Sequence, residues 1–148
     1  MAAKEPTSLY ERDFFEWTQH NSELLRRGCF EQADMEHIAE EIADMGSRDQ
    51  REMRSYLVRI VKHLLKWKFQ PDRRSESWRT SIGDSRIELE GIFEQSPSLL
   101  HHAMEAFPSI YPKAVTQAEA ETGMRKAQFP ADCPFRFEQL LDDGFFPD

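Results

Sequence analysis

A chain of 148 residues is long enough for one domain with a real core, and its 27 acidic against 19 basic side chains give a net charge of −8. That balance argues against a general nucleic-acid binder, which needs basic surface to displace counterions from phosphates. Two cysteines, Cys29 and Cys133, far apart and outside any C-x-x-C pair, suggest neither a disulfide framework nor a zinc knuckle and fit reduced thiols in a cytoplasm.

The opening stretch MAAKEPTSLYERDFF carries charges where a signal peptide needs an apolar run. No segment approaches the roughly 18 apolar residues of a membrane span, so a cytoplasmic protein with no membrane contact is expected. The hydrophobic fraction is only 39%, but 11 Phe, 3 Trp and 3 Tyr supply large buried areas per residue, enough to fill a core.

Ser8 with Glu11 three residues on has the form of a capping box. Phe14, Trp17, Asn21, Leu24 and Leu25 follow at helical spacing, which predicts a first helix from about Leu9 to Arg27, ending before Gly28. Asp34 is a good N-cap, and Met35, Ile38, Ile42 and Met45 fall at steps of three or four, a second helix reaching at least Met45. Gly46-Ser47 is either a break or a tolerated glycine, because good helix formers resume at once in RDQREMRSYLVRIVKHLLKW. In that stretch Met53, Tyr56, Leu57, Ile60, Val61, Leu64 and Trp67 form one apolar face, with Arg48, Arg51, Ser55, Arg59, Lys62 and Lys66 opposite.

Pro71 ends this helix, and Ser75 or Ser77 caps the next, which Trp78, Ile82, Leu89, Ile92 and Phe93 carry to about Gln95 with Gly83 as its weak point. Ser96 as N-cap followed by Pro97 opens a fifth helix. Pro108 and Pro112 are expected to kink or split it, Ser109 to recap it and Gly123 to close it. The phenylalanine- and proline-rich tail FPADCPFRFEQLLDDGFFPD, around a helical turn at EQLL, is apolar enough to pack down as a strap. No window alternates with period two, so no sheet is assigned. The expected architecture is all-α: one domain over residues 1–148, an antiparallel bundle of about five helices with a C-terminal strap.

The segments LYERDFFEWTQHNSELLRRG, DMEHIAEEIADMG, HLLKWKFQPDRRSESWR, SPSLL and FPADCPFRFEQLLDDGFFP, in this order, resemble a bacterial family known as domain of unknown function family 29. The resemblance implies a small all-helical protein and brings no activity, cofactor, partner or functional residue with it.

Charge is segregated along the chain. Residues 1–47 carry 4 basic and 11 acidic side chains, residues 48–86 carry 11 and 5, and residues 87–148 carry 4 and 11. The basic centre, with Arg59, Lys62, Lys66, Lys68, Arg73, Arg74 and Arg79 near Trp67 and Trp78, suits an anionic ligand or a nucleic-acid backbone. The same charges also suit a protein partner or self-association, and above all pairing with the chain's own acidic flanks, Glu36 through Asp44 for example.

A second constellation is His37, Glu40 and Glu41 on one helix with His63 on the next, residue types that assemble metal sites in bundles. The Glu-x-x-His pair that di-iron bundles repeat on two helices is absent, and a histidine at a core edge needs no metal. Cys29, Cys133, Ser75, Ser77 and Asp142-Asp143 lack a nucleophile elbow and read as thiols, caps and turns. Adjacent His101 and His102 point about 100° apart. Trp17, Trp67 and Trp78 fall on apolar stripes and are assigned to the core.

The sequence therefore reads as a non-enzymatic helical module that contacts a protein partner, or itself, through residues 48–86, with no catalytic residue and no cofactor assigned. One alternative is a metal-dependent enzyme built on His37, Glu41 and His63. The other is a nucleic-acid or phosphate-binding accessory protein using Arg59, Lys62, Lys66, Arg73, Arg74 and Arg79.

Overall fold

A computed structural model describes residues 7–148; residues 1–6, which open the stretch tested above for a signal peptide, lie outside the described residues. Among the described residues there are six α-helices and no strand: α1 (Leu9–Arg12), α2 (Phe14–Arg26), α3 (Met35–Phe69), α4 (Glu76–Gln95), α5 (Ser98–Thr122) and α6 (Phe137–Leu141). Single 3₁₀ turns lie at Pro71–Arg73 and Lys126–Gln128. The chain divides into two compact units, Met1–Ser47 and Arg48–Asp148.

In the first unit the expected helix from Leu9 to Arg27 is two helices. Asp13 leaves helical geometry at φ −151° and ψ 89°, and its side chain accepts the backbone N–H of Glu16 at 2.9 Å. A short aspartate carboxylate competes for backbone N–H groups in this way, which favours it at a cap over a helix interior. Ser8 stands at the N-cap of α1 but makes no side-chain cap bond. Gly28 at φ +74° lies in the left-handed region that ends helices at little cost for glycine.

The Gly28–Asp34 loop is sewn to α2 by two side chains. Asn21 Oδ1 accepts the N–H of Asp34 at 2.7 Å, and Trp17 Nε1 donates to Asp34 Oδ2 at 2.9 Å. Both Trp17 and Asn21 are buried, so their polar atoms require these partners.

Helix α3 runs on through Gly46, whose backbone φ is not positive. An interior glycine costs about 1 kcal/mol against alanine, too little to stop a helix with strong formers on both sides. The expected second and third helices are one element of 35 residues.

The second unit is a helical bundle. Its core holds Met53, Leu57, Ile60, Val61, Leu64 and Leu65 of α3 with Ile82 and Leu89 of α4. Ala103, Ile110, Ala114 and Ala118 of α5 complete it, together with Leu140 of α6. The buried face of α3 is wider than the predicted stripe, taking in Val58, Leu65, His63 and Lys66, because neighbours cover the helix on more than one side. Trp17 and Trp67 are buried as expected, whereas Trp78 is only half-buried.

Ser75 caps α4 by accepting the N–H of Trp78. Ser96 ends α4 by donating its backbone N–H to Ile92, and α5 begins at Ser98 without a side-chain cap, one residue after the expected first helical position, Pro97. Nor is α5 split by its prolines. Pro108 and Pro112 are four residues apart and exposed, so their missing N–H groups fall on one wet face while Ala106, Ile110 and Ala114 bury the other. Ser109 does not recap the helix; its Oγ donates to the Ala106 carbonyl at 2.7 Å. Gly123, at φ +74°, closes it.

The tail packs as a strap. Phe129, Phe135 and Leu140 are buried, and the ring centroid of Phe146 lies 5.0 Å from that of Trp67. The main clasp is Arg86, itself 3% exposed. Its guanidinium donates to the carbonyls of Leu140 at 2.8 Å, Phe145 at 3.0 Å, Gln139 at 3.1 Å and Asp143 at 3.4 Å. A planar five-donor fork suits a cluster of carbonyls that a single ammonium would not serve.

Candidate anion-binding cleft

In the second unit, α3 and α5 form the walls of an open cleft of about 490 Å³. Residues 51, 54, 55, 58, 59 and 62 step along α3 by threes and fours, and residues 110, 113 and 117 do the same on α5. The apolar residues among them, Val58 and Ile110, are nearly fully buried and form the floor. Above it stand five cations, Arg51, Arg54, Arg59, Lys62 and Lys113, with Ser55 and Gln117 as neutral polar neighbours. No aspartate or glutamate lines the cleft.

Among the described residues, only Lys62 of these five has a carboxylate within 4 Å. Its Nζ lies 2.9 Å from Glu121 Oε1, while Lys66 Nζ lies 3.0 Å from Oε2 of the same residue. Burial pushes the Glu121 carboxyl up, but the two lysine hydrogen bonds outweigh it and hold the group below its ordinary value. Arg54 Nε is shielded from solvent with no hydrogen-bond partner. Unanswered like charges in one cleft, one with a buried orphan donor, favour an anion that supplies acceptors.

The residues expected to form the basic surface separate into two groups. Arg59 and Lys62 line the cleft. Lys66 is buried, with Nζ 4.7 Å above the Trp78 ring and on Glu121. Arg74 Nε donates to the Trp67 carbonyl at 2.8 Å. Arg79 lies over Trp67 and Phe146 and within 3.7 Å of Glu76, and Arg73 sits exposed in the 3₁₀ turn. Arg74 and Arg79 are set against the strap, and all three lie outside the cleft lining.

Arg51, Arg54 and Lys113 were absent from the candidates. Arg54 fits the helical stepping from Arg51, whereas nothing local in the sequence places Lys113 opposite them. Within the second unit the ion pairs of the basic segment go to Glu121 and Glu76.

The candidate metal ligands are engaged separately. In the first unit His37 Nδ1 lies 2.7 Å from Asp34 Oδ2, its ring stacks on Tyr10 at 4.0 Å, and the Tyr10 hydroxyl donates to Glu41. The Asp34 hydrogen bond raises the His37 pKa, and the Glu41 hydrogen bond raises the Tyr10 phenol to about 12. In the second unit His63 Nδ1 lies 2.8 Å from the Arg59 carbonyl, and burial lowers its pKa. No group of three or more His, Cys, Asp or Glu is disposed to hold a metal ion among the described residues. Glu40 is exposed.

The remaining nucleophile candidates have structural surroundings. Ser75 is a cap, Asp142 Oδ1 accepts the Gly144 N–H at 3.0 Å, and burial pushes the Cys133 thiol pKa up. His101 pairs at the surface with Glu105. No helix among the described residues is long and apolar enough to cross a membrane.

Fold and cleft together define an all-helical protein whose most distinctive surface is a carboxylate-free basic groove. Residues 9–146 match the family described as Domain of unknown function DUF29, and the chain belongs to that family. No curated protein and no solved structure matches it.

Proposed function

We propose that this chain is a non-enzymatic helical binding module that recognises an acidic protein partner through the α3–α5 cleft. The observation that carries this reading is the cleft's composition: five cations, three of them arginine, above an apolar floor and without a carboxylate. Arginine forks pair with carboxylates in two-point geometry, and the Val58–Ile110 floor accepts the apolar side of an amphipathic helix. A nucleic-acid backbone offers no apolar side to the Val58–Ile110 floor, which favours an acidic helix over a duplex as the occupant.

The test is fluorescence anisotropy with a labelled glutamate-rich helical peptide at low salt, compared with a duplex oligonucleotide. Peptide binding that weakens more than tenfold in Arg54→Ala and in Arg59→Glu is expected. Absence of peptide binding at low salt, or tighter binding of the oligonucleotide, would overturn the reading.

A further inference from the structure

The N-terminal unit carries a row that complements the cleft. Glu36, Glu40 and Asp44 succeed one another on α3 at steps of four. All three are exposed, and none makes an ion pair among the described residues. Four-residue steps keep side chains on one helix face, and eight residues cover about 12 Å.

In the cleft, Arg51 and Arg59 are separated by the same eight residues, as are Arg54 and Lys62. The acidic and basic rows therefore match in length and oppose in sign. Ala39 and Ala43 lie beside the acidic row, both exposed, so small side chains let a second helix approach closely.

We propose that the acidic partner of the cleft is a second copy of this chain, whose Glu36–Asp44 row enters between α3 and α5. The inference rests on the reading of the cleft as a site for an acidic protein and names that protein. The Val58–Ile110 floor receives the row's alanine edge, and the row's carboxylates meet Arg51, Arg59 and Lys62 while Arg54 Nε gains an acceptor. Each copy offers one row and one cleft, so the association is reciprocal or propagates head to tail, depending on whether the rotation closes.

The test is the mass of the full chain in solution by light scattering, at low and at high salt. The wild type is expected to associate at low salt and to approach the monomer at high salt. A row-reversed variant (Glu36→Lys, Glu40→Lys, Asp44→Lys) and a cleft-reversed variant (Arg51→Glu, Arg54→Glu, Arg59→Glu), each with wild-type helicity by circular dichroism, are expected to self-associate more than tenfold more weakly. Their equimolar mixture is expected to recover association, because each reversed surface then meets its opposite.

A wild type that is monomeric at low salt overturns the proposal, as does association that persists in both variants. In either case the labelled-peptide titration decides the parent reading separately: peptide entering the cleft of a monomeric chain keeps the acidic-partner site and removes only the second copy.

Discussion

Replacing Arg86 with Met tests whether one buried guanidinium holds the C-terminal strap. Methionine keeps an unbranched apolar stem in the same channel but removes donors to four carbonyls, three of them at 2.8–3.1 Å. Hydrogen bonds from a charged donor contribute about 1.5–3 kcal/mol each, and carbonyls left buried without a donor cost about 1–3 kcal/mol each. These do not sum, because Arg86 is 3% exposed and its own desolvation opposes the gain, as its lowered pKa reflects. A net loss of about 3–5 kcal/mol is expected, the range found on breaking a buried charged interaction.

Against a total of roughly 5–15 kcal/mol for a domain, such a loss appears locally first, as undocking of α6 and the residues after it. Hydrogen exchange should show protection of the α6 amides falling by roughly two to three and a half decades, since each 1.4 kcal/mol is tenfold. Arg86→Lys should fall nearly as far, because one ammonium cannot reach carbonyls spread from Gln139 to Phe145. A loss below about 1 kcal/mol with unchanged α6 protection would refute the clasp.

Gly46→Ala should stabilise the chain by about 0.5–1 kcal/mol, since the position is helical, has no positive φ, and an added Cβ meets nothing within 4 Å. Urea unfolding reads the change, and a decrease would contradict an unbroken α3. The His37–Asp34 contact should make stability pH-dependent with a definite sign. The hydrogen bond to Asp34 raises the folded-state pKa of His37. Its contribution is therefore complete below the unfolded value of about 6.5 and is lost as pH rises through the raised folded value. His37→Phe keeps a ring to stack on Tyr10 and should flatten that part of the stability profile above about pH 6.5. An identical profile in the variant would remove the dyad as the cause.

Much of the architecture was legible from local pattern. The heptad-like run from Met53 to Trp67 gave the central helix face, Ser75 gave a cap, Gly123 a terminus, and the apolar tail its strap. What misled were residues whose effect depends on competition. Asp13 reads as an ordinary helical position until its carboxylate is seen taking the Glu16 N–H. Pro108 and Pro112 read as breakers until their faulty face is seen to be wet while the opposite face is buried. Arg86 counted as one more positive charge in a basic segment, although its partners are carbonyls more than fifty residues away.

The sequence by itself determined the all-α class, most helix positions and the basic centre, because periodicity, caps and charge are properties of neighbours along the chain. Tertiary structure alone decided which cations share a cleft. It set Lys113 opposite Arg51, Arg54 and Arg59, drew Lys66 onto Trp78 and Glu121, and turned Arg74 and Arg79 toward Trp67. The physical reason is that a charge's role depends on what desolvates and answers it, and those partners here come from different helices.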